Sequence, residues 1–374
     1  MSQDFDQALA QLTTHQGPVD RALVQRFSGA EARDVASFRA KFSTLADTVR
    51  TALLASMVEY AESDFELDFG RLYRIALDDA LPAVRRMAIE GLWEDERPDL
   101  MRRLLSLLAE DPADEVRAAA AASLGRFIYL AECDELEIVP RQVLREALEL
   151  AHGDASIEVA RRALESLAYI SEPHIIRLID AAYSHADPLM RQSALFAMGR
   201  STDRFWAETV LAELHNESPA MRYEAARACG ELRLERALPL LARMLSDRDA
   251  EVQSMAVWAL GEIGGKRAQQ LLEGLADGED EALSAAAQAA LDSLSFASGP
   301  MDLLVFDDNS QEAHGGHDWP VTEDDDSDGD EDWEHHDERE HSPELEDYRR
   351  LFERYLDEDD DSDDTDGGWD DNED

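Results

Sequence analysis

Apolar and small residues recur along most of the chain in a fixed order. The segments DPADEVRAAAAASLGRF, DPLMRQSALFAMGR, SPAMRYEAARACGEL and DAEVQSMAVWALGEIG share a turn, an apolar residue, a small residue four later, an apolar residue four after that, and then glycine. Aligned on the first apolar residue, the column reads Val49, Val84, Val116, Val159, Met190, Met221, Val252 and Leu283, with spacings of 35, 32, 43, 31, 31, 31 and 31. The next two columns are Leu53, Ala88, Ala120, Ala163, Ala194, Ala225, Ala256 and Ala287, then Met57, Leu92, Leu124, Leu167, Met198, Cys229, Leu260 and Leu291. Positions zero, four and eight share one face of an α-helix, so each copy contributes one amphipathic helix.

Between these helices runs a second amphipathic segment, seen in the column Ile179, Val210, Leu241 and Leu272. Each unit is therefore predicted to be a helical hairpin. A lone hairpin cannot bury both faces, so the copies must stack, with the alanine column allowing close approach. The fold class expected is all-α: an α-solenoid of about eight hairpins over residues 44–298, preceded by a helical cap at 1–43. Within that cap Ser28 and Glu31 have capping-box spacing. Asp79, Asp111, Asp154 and Asp247, or Asp187, Asp249 and Asp280 two places later, are expected to accept hydrogen bonds as N-caps of second helices. Gly125, Gly199, Gly230 and Gly261 leave room at helix crossings or helix ends. The spacing of 43 marks an insertion near residues 128–140, read as a longer loop or an extended first helix.

The D-x-x-V-R-x-x-A-x-x-x-L-G pattern resembles HEAT repeats of the phycobilisome-lyase type over residues 44–296. The resemblance implies a curved solenoid whose second helices line the concave side. It also implies a ladder between the arginine after the reference residue (Arg50, Arg85, Arg117, Arg191, Arg222) and the turn aspartate. That arginine is replaced at Ala160, Gln253 and Ser284.

Charge divides the molecule differently from the repeat. The chain has 84 acids against 35 bases, a formal net charge of −49, and residues 301–374 hold 33 of those acids with 4 bases. So acidic a molecule is not expected to bind nucleic acid or anionic lipid directly. The tail, 299–374, cannot bury enough apolar area to offset its chain entropy and is expected to be disordered. Residues 344–357 are an exception: Leu345, Tyr348, Leu351, Phe352, Tyr355 and Leu356 fall at helical spacing beside Arg349, Arg350 and Arg354, so a helix formed on a partner is expected there. Met301–Phe306, Trp319, Trp333 and Trp369 are further apolar anchors. Asp324, Asp326, Asp328, Gly329 and Asp330 open like a calcium loop, but the twelfth position is His335 rather than a bidentate Glu, so no specific site is expected.

Catalytic chemistry finds little support in the residues. Repeat proteins of the deoxyhypusine hydroxylase type take iron ligands from His-Glu pairs, and the repeat region has no His-Glu dipeptide; His152, His174, His185 and His215 fall in turns or near helix ends. Cys229 occupies an apolar column position and reads as inert core, while Cys133 lies among acids that disfavour a thiolate. Two cysteines without metal or redox spacing fit a reducing compartment. No membrane span is expected, and MSQDFDQALAQL has no basic region followed by an apolar run, so a cytoplasmic protein is expected. Abundant alanine, with Lys41 and Lys266 the only lysines, suits a GC-rich bacterial genome.

Candidate binding residues follow from geometry. The position six after the reference residue lies about 200° around the helix from the buried stripe, facing the groove. The register aligns Phe196, Arg227 and Trp258 there, with Tyr223 one turn before Arg227. Aromatics with an arginine make a peptide-binding surface. The expected function is a non-enzymatic scaffold or adaptor without cofactor, binding a protein or peptide in the groove, while Leu345, Tyr348, Phe352 and Tyr355 of the tail recruit a second, basic partner or compete for the groove. Two alternatives are an enzyme or lyase subunit, implied by the resemblance to bilin lyases and hydroxylases, and an acidic mimic masking a basic partner.

Overall fold

The computed structural model describes residues 2–136, 138–278 and 280–298. The acidic tail, with its candidate helix, its candidate anchors and its aspartate-rich motif, lies outside the described residues. The described residues form eighteen α-helices and two short 3₁₀ turns, with no strand among them.

The predicted hairpins are present in chain order. The first copy departs from the pattern, since α3 (Ala32–Phe42) packs on α5 while α4 (Asp47–Ser63) packs on α6; first and second helices then pair as α5 (Gly70–Ala76) with α6 (Pro82–Gly91), α7 (Pro98–Glu110) with α8 (Asp114–Glu132), and α9 (Ile138–His152) with α10 (Ile157–Leu167). They continue as α11 (Pro173–Tyr183) with α12 (Pro188–Arg200), α13 (Ala207–Glu213) with α14 (Pro219–Glu231), α15 (Leu238–Met244) with α16 (Ala250–Ile263), and α17 (Gly265–Ala276) with α18 (Glu281–Ser298). At the N-terminus α1 (Ser2–Leu12) packs on α3 and α2 (Arg21–Gln25) on α4. Proline opens α6, α12 and α14, where its missing N–H costs nothing and its fixed φ suits a first turn.

All three predicted columns lie in the second helices. Every member of the alanine column is fully buried, as are its neighbours at zero and eight from Val84 to Met198 and beyond, apart from the half-buried Leu283 and Leu291 on the last helix. Successive second helices meet along most of their length while successive first helices meet at few points, so the second helices form the inner rail of a curved stack. Small residues permit this. A Cβ on Gly199 would stand 2.7 Å from the Ala228 Cα, and one on Gly230 would stand 3.0 Å from the Ala259 Cα.

Two local expectations are corrected. The insertion lengthens two helices: the second helix α8 runs 19 residues to Glu132, and the first helix α9 that follows is extended to 15 residues, so the extended first helix is present but accounts for only part of the extra chain, and the longer loop is not present among the described residues. The apolar run Phe127, Ile128, Leu130 and Ala131 buries the added turns. In the cap, the box forms between Glu31 and Asp34, and Ser28 instead accepts the Asp68 N–H through its hydroxyl.

The aspartates divide into two roles. Asp187, Asp249 and Asp280 accept first-turn backbone N–H groups as expected. Asp79, Asp111, Asp154 and Asp247 sit two residues ahead of the cap, where each closes a turn by accepting the N–H two residues on. Each also receives an arginine from the preceding second helix: Arg50 to Asp79, Arg85 to Asp111, Arg117 to Asp154 and Arg222 to Asp247. The last three pairs are bidentate through Nε and Nη2, the geometry that makes guanidinium–carboxylate contacts strong and directional. Nη1 of the same arginines holds the carbonyl of its own turn. The arginine therefore locks two consecutive repeats. The ladder lapses where Ala160 precedes His185, again where Arg191 precedes Asn216, whose amide is engaged by Glu213 and Ser218, and a third time at Gln253, whose amide holds only the Asp247 carbonyl of its own turn among the described residues.

Candidate binding groove

The groove face is built from residues two, six and ten places after the reference position on the second helices. On α6, α8 and α10 it opens into a cleft of about 540 Å³, floored by Ile89, Ala118 and Ala122 and walled by Trp93, Arg126 and Arg162. On α16 and α18 it opens into a second cleft of about 510 Å³ around Val257, Trp258, Gly261 and Leu294.

Between the clefts runs a stack of rings and guanidinium groups. Tyr129 meets Tyr169 edge to face, 5.6 Å between centroids. Arg200 lies 5.1 Å from both the Tyr169 and Phe196 rings, and Arg227 lies 3.8 Å from Phe196. The stack crosses α8, the end of α10, α12 and α14, so it joins four consecutive repeats. Each cation over a ring contributes roughly 0.5–2 kcal/mol, more where water is excluded.

The predicted residues are placed unevenly. Phe196, Arg227 and Trp258 do share the six column, with Trp258 39% exposed on the wall of the second cleft. Phe196 and Tyr223 are half-buried. Arg227 is 9% exposed, so it is not the open binding side chain expected of its position. Its own helix and the preceding one engage it: Nε donates to Glu224 (2.8 Å), Nη1 to Glu231 (2.6 Å) and Nη2 to the Phe196 carbonyl of the preceding repeat (3.0 Å). Leu345, Tyr348, Phe352 and Tyr355 lie outside the described residues.

Electrostatically the middle of the groove is balanced. Burial raises the Glu231 carboxyl above its ordinary range despite Arg227 and Arg200 beside it, and its Oε2 has no hydrogen-bond partner. In the first cleft Arg86 and Arg162 are matched by Glu90, Glu115, Glu158 and Glu165. Arg126 differs. Its Nη1 holds the Leu92 carbonyl, while buried Nε and Nη2 have no partner, and desolvation lowers its pKa. Sequence reasoning missed Trp93, Arg126, Tyr169 and Arg200 as groove residues. The available signal was Trp93, a large aromatic nine places after Val84, where other copies carry Gly125, Gly199, Gly230 and Gly261.

The remaining chemistry is quiet. Burial pushes the Cys229 thiol up to about 12, and Cys133 is a free, exposed thiol. His174 pairs with Glu149 at 2.8 Å, and His152 bonds the Ala160 carbonyl. Among the described residues no three His, Cys, Asp or Glu side chains gather as they would around a metal, and no helix is long and apolar enough to cross a membrane.

A family model described as HEAT repeats matches residues 71–140 and 207–292. No curated protein matches the chain in sequence. Among solved structures, the chain is similar to YibA of Escherichia coli at 16% identity, covering 75% of this chain and 99% of that one, with a TM-score of 0.42. It is similar to human deoxyhypusine hydroxylase in complex with glycerol at 20% identity, covering 79% and 96%, with a TM-score of 0.32. It is also similar to Kap121p bound to Ste12p at 14% identity, covering 78% of this chain and 37% of that one, with a TM-score of 0.37.

Proposed function

We propose that this chain, a HEAT-repeat protein, is a non-enzymatic scaffold or adaptor that takes a protein or peptide segment into the groove formed by its second helices. The observation that carries the reading is the groove itself: two clefts of about 540 and 510 Å³ on one face, joined by the Tyr129–Tyr169–Arg200–Phe196–Arg227 stack. An extended segment lying across the face meets rings, guanidinium groups and small apolar floors in turn, the combination that concentrates binding energy in a few contacts. The acidic tail supplies a second element that recruits a basic partner or competes for the groove, and the cytoplasm is the compartment this reading assumes.

The test is affinity purification from native lysate with the full-length chain and its Trp258→Ala and Arg162→Ala variants. A partner retained by the wild type and reduced by either substitution supports the groove. Identical recovery with all three proteins overturns it. Stoichiometric iron or a tetrapyrrole absorption band in purified protein would favour an enzymatic role instead.

A further inference from the structure

Beside the groove, at the turns following α4 and α6, a separate cleft of about 250 Å³ is lined by Phe65, Phe69, Tyr73 and Trp93 together with Asp68 and Glu94. Two of its rings are strongly exposed, Phe65 at 82% and Trp93 at 54%, which is costly for aromatic side chains that nothing covers. At its base Tyr73 is only 2% exposed, held edge to face by Phe69 at 6.1 Å, and its hydroxyl has no hydrogen-bond partner. The ring reaches this position because residue 91 is glycine: a Cβ there would fall on the Cζ and Cε atoms at the hydroxyl end of Tyr73. A buried, unpartnered hydroxyl carries a desolvation cost of roughly 1–3 kcal/mol that an incoming polar group would relieve.

The charge around the cleft is mostly negative. Glu62, Glu66 and Glu94 are exposed and form no ion pair among the described residues, and the Asp68 carboxylate accepts the Gly70 N–H. The single lining base, Arg97, is engaged by Asp95 at 2.8 Å. Burial, with Glu62 and Asp68 nearby, raises the Tyr73 pKa, so its oxygen stays a neutral phenol able to accept a hydrogen bond. Aromatic faces and unpaired carboxylates attract the same ligand class, an organic cation.

We infer that this cleft receives a lysine side chain presented by a basic segment of a partner protein, its methylenes between Phe65 and Trp93 and its ammonium donating to the Tyr73 hydroxyl oxygen and the surrounding carboxylates. The volume suits one unbranched aminoalkyl chain, and the three ammonium donors can divide between the phenol and the acids. This surface goes beyond the groove reading and does not depend on it: Phe65 lines the cleft and not the groove.

Fluorescence anisotropy with a short fluorescein-labelled peptide of alternating lysine and glycine, titrated with the full-length chain in physiological salt, tests the inference. Phe65→Ala and Tyr73→Phe are each expected to weaken binding by about fivefold, the scale of one desolvated cation–ring or charged hydrogen-bond contact. Phe205→Ala, an exposed ring away from the cleft, is expected to bind as the wild type. Tyr73→Phe should not lower the thermal midpoint, because the hydroxyl has no partner to lose, which separates recognition from folding. Equal affinity for wild type and all three variants would mean that the acidic tail alone holds the peptide, and overturns the inference. Weakening by Phe65→Ala without any weakening by Tyr73→Phe also overturns it, since the ammonium would not then reach the base of the cleft.

Discussion

The guanidinium carbon of Arg227 lies 3.8 Å from the centroid of the Phe196 ring, and the same guanidinium donates to the Phe196 carbonyl at 3.0 Å. One side chain thus grips both the ring and the backbone of the preceding repeat, while Glu224 and Glu231 neutralise it from its own helix. Replacement by Met would leave two carboxylates in a mostly buried setting without their shared cation. Arg227→Met is expected to lower unfolding free energy by about 3–5 kcal/mol, and Phe196→Leu, which keeps apolar bulk but removes the π face, by about 1 kcal/mol. Urea titration followed by far-ultraviolet circular dichroism checks both values.

The arginine–aspartate ladder sets a pH limit on the fold. Hydrogen bonds from Arg117 and Arg222 hold the Asp154 and Asp247 carboxyls below the ordinary value of 3.8. A depressed folded-state pKa gives stability that is present above the unfolded pKa and lost as pH falls through the folded one. Stability contributed by these pairs should therefore hold from neutral pH down to about 4 and decline below it. The Asp154→Asn, Asp247→Asn double variant should start less stable at pH 7 and show a shallower loss on acidification, measured as the urea midpoint against pH.

The two cysteines should react very differently. Cys133 is exposed, whereas Cys229 is fully buried and its thiol is pushed up to about 12 by burial. Ellman's reagent at pH 8 is expected to titrate one thiol in the native protein and the second only in denaturant. Rapid modification of both in the native state would show that α14 opens readily.

Close helix approach makes a small substitution expensive. A methyl group at Gly199 would stand 2.7 Å from the Ala228 Cα and 2.9 Å from its Cβ, atoms of the next second helix that cannot swing aside. Gly199→Ala is expected to cost about 1–3 kcal/mol despite the better helix propensity of alanine. Thermal unfolding would register it as a lower midpoint, and an unchanged or raised midpoint would contradict the packing.

Much of this architecture is legible in the chain because stacking imposes the same demand at the same place in every copy. Ala194, Ala225 and Ala256 announce a buried face, and Arg85, Arg117 and Arg222 find the aspartates that the ladder requires. The burial of Arg227 was not legible, since a helical wheel measures direction from its own helix and ignores the neighbours on either side. The Phe65–Trp93 cleft escaped for another reason. It is assembled from turns in the early copies, whose spacings of 35 and 32 depart from the regular 31, so no column brings Phe65, Tyr73 and Trp93 together. The helical overrun to Glu132 also followed from apolar residues that the repeat pattern does not count.

Where the ladder lapses at Ala160 and Asn216, inter-repeat bonds do not vanish but move around the helix. Arg161 donates to Ser193, Arg200 to Tyr169 and Arg227 to the Phe196 carbonyl, all on the groove side. A stack clasped along one edge in its first three joints and along the groove edge at its middle resists bending and torsion unequally. In the central joints the edge without the ladder is the one free to splay, with the groove contacts as the hinge pin. The groove face therefore holds the middle of the stack together as well as lining the surface between the clefts.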